Sequence, residues 1–266
     1  MEEQKQAKQQ IQIDSNILNT LSKAVRVSKK KGNLDRDEYK KYINASKTKT
    51  FFLLFEDALE EFKANSFIDE NFSTASTLLK GVNYTIKDIE ELCPIFSKFY
   101  ANETNSIGIF ISAAINKIIK ETDTIVLDFA GIEVNYLGYC LTCGNLIIKG
   151  SVGGYTGQSM QSGSITIHGN AGDYTGKSME GGSIIVEGNS NADTGVSMQS
   201  GSITVDGNAG DWTGDYMKGG SIIVEGNAGD YTGIASFGGK IVINKEIKSI
   251  GINAKAAIFC KGKKVN

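Results

Sequence analysis

The stretch GSITIHGNAGDYTGKSMEG, Gly163 to Gly181, decides the fold, because close variants of it precede and follow it without insertion. Gly144, Gly163, Gly182, Gly201, Gly220 and Gly239 are 19 residues apart, and so are Gly150, Gly169, Gly188, Gly207 and Gly226. Gly157, Gly176, Gly195, Gly214 and Gly233 make a third series. A fixed period of this length is the mark of a stacked repeat, in which no unit can bury its apolar face alone. One period back from Gly150 and Gly157 lie Gly131 and Gly138, so Ile125 to Cys143 reads as a degenerate first coil.

Within each unit the apolar residues alternate. Ile165 and Ile167 point one way and Ser164, Thr166 and His168 the other, which is the period of a strand. Leu146, Ile165, Ile184, Ile203, Ile222 and Ile241 form one expected column, and Ile148, Ile167, Val186, Val205, Val224 and Ile243 the next. Coils stacked at about 4.8 Å would bury these columns on one another, so seven of them would make a body roughly 34 Å long. The rest of each unit turns corners on glycines that accept positive φ. Met160, Met179, Met198 and Met217 are expected inside, and Asn170, Asn189, Asn208 and Asn227 as a ladder of stacked amides. The fold expected is mainly β: a right-handed parallel β-helix of about seven 19-residue coils from residue 125 to about 257, capped by a helical N-terminal region.

GNAGD is no dinucleotide fingerprint, since it lacks the GxGxxG spacing and the crossover helix and recurs where one cofactor site would not. Calcium-binding nonapeptide repeats have another period. The pattern G-x-x-G-x-x-x-G, as Gly169-Asn-Ala-Gly172-Asp-Tyr-Thr-Gly176 and Gly207-Asn-Ala-Gly210-Asp-Trp-Thr-Gly214, followed by Met and then GGSIIVEGNAGDYTG, resembles the GXGXG β-helix family. That family includes the C-terminal domain of the glutamate synthase large subunit, its free-standing archaeal relatives, and the β-helical subunit of formylmethanofuran dehydrogenase. The likeness runs from about residue 105 to 250. Asn105 to Ile115 is similar to the helix leading into the glutamate synthase solenoid, whereas the uninterrupted coils look more like the formylmethanofuran dehydrogenase branch. The resemblance implies a non-catalytic scaffold that positions catalytic subunits of an oxidoreductase complex. Flavin, iron–sulfur or molybdopterin/tungstopterin would then belong to those partner subunits, and no cofactor is expected on this chain.

The chain has 266 residues, 40% of them apolar, with no apolar run long enough for a membrane span. MEEQKQAKQQ has no basic-then-apolar order of a secretory leader, and four cysteines make no disulfide framework, so a cytoplasmic setting is expected. Residues 1–50 hold 12 Lys/Arg against 6 Asp/Glu and the remainder 16 against 24. The front is read as a solvated helical arm rather than a nucleic-acid site. Two regions follow: a basic helical one over 1–104 and the solenoid over 105–266, led by a cap helix at 105–121. Helices are expected over 15–30 and over 40–65 around Phe51 to Phe55, and over 83–93 ended by Pro94. The cap helix, apolar at 107, 110, 111, 114, 115, 118 and 119, would carry one buried stripe.

Chemistry-bearing groups are few. His168, the single histidine, occupies a strand-end position filled in other coils by Lys149, Glu187, Asp206, Glu225 and Asn244, so it reads as outward and solvated. Cys140 and Cys143 form a lone CxxC, two ligands where a zinc site needs about four. Ser159 and Ser162 hold their places in the next coil, so small size accounts for both. Glu187, Asp206 and Glu225 stack like charges on neighbouring coils, as do Asp211 and Asp230 on a corner. Two carboxylates about 5 Å apart repel by about 3 kcal/mol at an effective dielectric of 20 and by less in open water. These acids either are tolerated on a wet surface or dock a basic partner. Three functions remain open here: an oxidoreductase scaffold, a free-standing interaction module with a helical recruiting region, and an enzyme. Protein subunits are the expected partners, with no membrane; self-association is left open.

Overall fold

The structure, a computed structural model, describes residues 48–64 and 67–266. The helix expected over 15–30, the start of that expected over 40–65, and most of the basic arm lie outside the described residues. Two compact units divide between Tyr84 and Thr85.

In the first unit, α1 (Thr48–Ala64) and α2 (Ile68–Leu78) contact each other. Phe55, Ala58, Leu59 and Phe62 recur at helical spacing and are buried. Nothing in the sequence pattern anticipated α2, whose one buried residue is Ala75.

The second unit opens with α3 (Ile86–Phe99) and α4 (Thr104–Ile118), followed by seven parallel strands. These are β1 (Thr124–Asp128), β2 (Asn145–Lys149), β3 (Ser164–Ile167), β4 (Ser183–Val186), β5 (Ser202–Val205), β6 (Ser221–Val224) and β7 (Lys240–Ile243). An eighth, β8 (Ala257–Cys260), pairs parallel to β7, and β9 (Lys263–Lys264) turns back antiparallel on it. From β2 to β7 each residue pairs with the one 19 later, as Ile165↔Ile184↔Ile203↔Ile222. Both aliphatic columns and the four methionines are buried, and this stack is the core.

The ends depart from the period. Thr124 pairs with Asn145, a step of 21, although Gly131 and Gly138 keep the corner conformation of Gly150 and Gly157 one period on. The two additional residues fall in a turn closed by Ile132 N–H to the Phe129 carbonyl. The first coil is therefore not the 19-residue unit read from the sequence. At the other end Lys240 pairs with Ala257, a step of 17.

The helical cap works through specific bonds. Thr85 and Asp88 form a capping box at the start of α3. Ile89, Leu92, Cys93 and Phe96 are fully buried. Pro94 does not end α3: the helix continues to Phe99. The ring is exposed, so the lost bond faces solvent, and the buried stripe running through it offsets a proline cost of about 3 kcal/mol. From α3, Glu90 Oε1 accepts Val126 N–H at 2.8 Å, satisfying a donor on the open edge of β1. In α4 every residue from Ile107 to Ile115 is buried, where a single stripe was expected. The reason is close approach to the first corner. A Cβ at Gly108 would overlap the Asn135 carbonyl oxygen. Ser112 Oγ donates to the Tyr136 carbonyl at 2.9 Å and Asn116 Nδ2 to that of Tyr139 at 3.0 Å.

Candidate functional site

Each coil turns its main corner on residues of alternating backbone hand. In the coil quoted at the outset, Tyr174 (φ 62), Gly176 (φ 68) and Ser178 (φ 54) are left-handed, and so are their equivalents one period on either side. Gly176 is required, because a Cβ there would collide with Ile203 Cδ1. Tyr174 and Ser178 bear the strain without that freedom because the next coil holds them. Tyr174 N–H donates to the Ala192 carbonyl at 3.0 Å and Ser178 N–H to that of Val196 at 2.8 Å. Between them Gly176 N–H points back to the Thr156 carbonyl at 2.8 Å. Corner strain of about 1 kcal/mol per such residue is stored against inter-coil bonds running both ways. Thr156, Thr175, Thr194, Thr213 and Thr232 are fully buried here, and each hydroxyl donates to the carbonyl three residues back.

This geometry projects one side chain per coil from the first left-handed position: Tyr136, Tyr155, Tyr174, Asp193, Trp212, Tyr231. Tyr136 and Tyr155 stack at 4.7 Å and 7°, Tyr155 and Tyr174 at 4.7 Å and 11°. Trp212 and Tyr231 stack at 6.1 Å and 10°, and are 39% and 48% exposed. Asp193 alone interrupts the ladder. Sequence reasoning missed this column, although Tyr155, Tyr174, Trp212 and Tyr231 sit on the same 19-residue grid as the glycines.

Carboxylates surround the interruption. Asp193 is pushed up by burial and by Asp173, and pulled down by Lys177. Asp215 is pushed up to about 6 by burial and Asp193, against a lowering bond from the Tyr216 backbone. Its Oδ1 is buried without a hydrogen-bond partner. Burial first, then Tyr174 and the Asp173 and Asp193 charges, push the Tyr155 hydroxyl up. Asp211 and Asp230, the corner pair singled out by sequence, lie on this same corner. Asp211 Oδ1 accepts the Asp230 N–H at 2.7 Å, and Asp230 pairs with Lys248 Nζ at 2.5 Å, which holds its carboxyl below the usual range.

The other predicted acids stand at the strand ends. Glu187 Oε1 lies 2.8 Å from His168 Nδ1, and Glu225 Oε2 accepts from Asn244 Nδ2 at 2.7 Å. Asp206, between them, is exposed and forms no ion pair among the described residues. The expected asparagine ladder bonds along the column mainly from backbone to side chain: Asn170 Oδ1 accepts the backbone N–H of Asn189, Asn189 that of Asn208, and Asn208 that of Asn227, each at 2.8 Å, and Asn189 Nδ2 also donates to Asn170 Oδ1 at 3.5 Å. Cys140 takes a left-handed corner position and Cys143 Sγ donates to the Ile119 carbonyl at 3.4 Å. Among the described residues no group of three His, Cys, Asp or Glu could hold a metal, and no helix is long and apolar enough to cross a membrane. No family model and no curated protein matches the chain.

Proposed function

We propose that this chain is an interaction scaffold whose solenoid presents a rigid corner of aromatic rings and carboxylates to a basic protein partner. One observation carries the reading: rings and acids recur on one corner at coil spacing, where the Asp193 charge acts on Asp215 and neither is ion-paired among the described residues. Rigid, amphipathic aromatic side chains lose little entropy on contact, and unpaired carboxylates steer a basic surface. The resemblance to the GXGXG family supports the narrower form, in which the partner is a catalytic subunit of a glutamate synthase or formylmethanofuran dehydrogenase type of complex. Cofactors would then travel with the partner. Acidic columns at Glu187, Asp206 and Glu225 and at Asp211 and Asp230 would widen the attractive field. The second reading is a free-standing interaction module that recruits through its helical region a partner unrelated to either enzyme.

Affinity purification of the full chain from its native cells, at low salt and again at high salt, tests the proposal. A partner is expected in near-stoichiometric amount, lost at high salt and lost again in an Asp193→Asn/Asp211→Asn variant. A flavin, iron–sulfur or pterin protein would select the oxidoreductase form. Turnover by the isolated chain, or recovery unaffected by the neutralised corner, would overturn the scaffold.

A further inference from the structure

The ladder of the main corner has one missing rung, and its dimensions specify what fits there. Tyr155 and Tyr174 stack 4.7 Å apart and Trp212 and Tyr231 6.1 Å apart, and two coil steps of about 4.8 Å each separate the backbone positions of Tyr174 and Trp212. That space is one flat group thick, since each added rung takes about half of it. Asp193 stands in line with the rungs but is several ångströms shorter than tyrosine, which leaves a slot with aromatic walls and a carboxylate floor. Lys177 does not fill it. Its Nζ lies 5.4 Å from the Tyr155 centroid and 5.2 Å from that of Tyr174, and such nearly equal distances place the ammonium at the shared rim of those two rings. The ring face of Tyr174 toward Asp193 is left uncovered by it. Asp193 forms no ion pair among the described residues, although the Lys177 charge acts on it.

We infer that the slot between Tyr174 and Trp212 receives the guanidinium of an arginine side chain presented by another polypeptide, stacked between the rings and paired with Asp193. A guanidinium is planar, stacks on aromatic faces and offers a donor fork to a carboxylate. An ammonium is compact and strongly hydrated, so it matches the charge but not the slot. The described residues include no arginine to fill it, because Arg26 and Arg36 are the only two in the chain. This inference rests on the scaffold reading and names the chemistry its partner must show.

Trp212 is the only tryptophan, so its fluorescence reports the slot directly. Full-chain protein is titrated with acetyl-Gly-Arg-Gly-amide and with the matching lysine and citrulline peptides. The arginine peptide should give a saturable change, with the lysine peptide at least tenfold weaker and citrulline silent. Asp193→Asn should abolish the response by removing the charge. Asp193→Tyr should abolish it by completing the ladder, with the melting temperature unchanged or raised, which separates a filled slot from a broken fold. Equal responses to the three peptides, no saturation, or an undiminished response in Asp193→Tyr would overturn the inference. A concentration-dependent change without peptide, lost in an Arg26→Lys/Arg36→Lys variant, would assign the slot to a second copy and overturn the foreign partner. If the peptides fail while a partner still depends on the neutralised corner, the slot falls and the scaffold stands; if the peptide saturates but no partner is recovered, the reverse holds.

Discussion

The interior columns and the corner ladder are built on the same 19-residue step, yet the first stay aliphatic or methionine throughout and the other is broken. Ile165, Ile184, Ile203 and Ile222 repeat one side chain through four coils, and the methionine column does the same. The projecting column changes from tyrosine to aspartate to tryptophan within three. Burial explains the uniformity. Inside a stack, a rung of different volume leaves a cavity or a clash with both neighbours. Outside, a rung touches its neighbours on two faces and water on its edge, so a substitution costs little and a gap can persist. Departure from the period therefore carries information only on the surface.

The largest expected effect tests the interior side of that contrast. Ile203→Ala, in the middle of the buried column, should destabilise by about 2 to 5 kcal/mol, since its neighbours Ile184 and Ile222 are fixed in register and cannot close the cavity. Urea unfolding of the full chain would measure it. A loss below about 1 kcal/mol would mean that the column is not tightly packed.

How much of this was legible in sequence follows from the same contrast. Strands, register and core could be read because burial repeats apolar residues of similar size at one spacing. The Asp211–Asp230 pair was legible as charge, but the rings beside it were not, since Tyr155 and Tyr174 sit among turn residues whose left-handed backbone carries no strand or helix period. The extended first coil escaped because Gly131 and Gly138 keep the period through the corner while β1 slips by two against it. Helix α2 escaped because it has almost no buried stripe. Pro94 misled because a proline rule about local bonds was weighed without the buried face of α3. Near β8 the chain abandons the period, and the antiparallel return of β9, with Asn266 bonded to the Ala254 and Ala256 carbonyls, has no repeat to announce it.

An intermediate effect is expected at Asp215, on the corner side. Its pKa of about 6 lies above the ordinary 3.8, so the folded state holds the proton more tightly than the unfolded chain. Below about pH 3 both states are protonated and the group is neutral in its effect. As pH rises from about 3.8 to about 6 the unfolded chain gives up the proton that burial and Asp193 make the folded state keep, so stability falls across that window and is level above it. Asp215→Asn should thus stabilise by about 1 kcal/mol at about pH 8, less than the whole shift implies because the side chain is half-exposed, and by nothing at about pH 3. Thermal unfolding at the two pH values decides it. An equal gain at both would assign the effect to packing rather than charge.

The smallest effect, and the sharpest test of a tolerant surface, belongs to Asp206. Its column was read as three uncompensated carboxylates, but the structure gives partners to the outer two: His168 Nδ1 lies 2.8 Å from Glu187 Oε1, and Asn244 donates to Glu225. Only Asp206 retains two like-charged neighbours about 4.8 Å along the stack with no ion pair among the described residues to offset them. Neutralising all three acids would also remove two favourable contacts, so the clean variant is the single Asp206→Asn. The residue is exposed, which screens the repulsion to a few tenths of a kcal/mol at low salt. Asp206→Asn should therefore raise stability by that amount in dilute buffer and by nothing in about 1 M sodium chloride, where screening is nearly complete. A gain that survives high salt would show that the column is shaped by something other than charge, and a loss would show that Asp206 has a stabilising partner of its own.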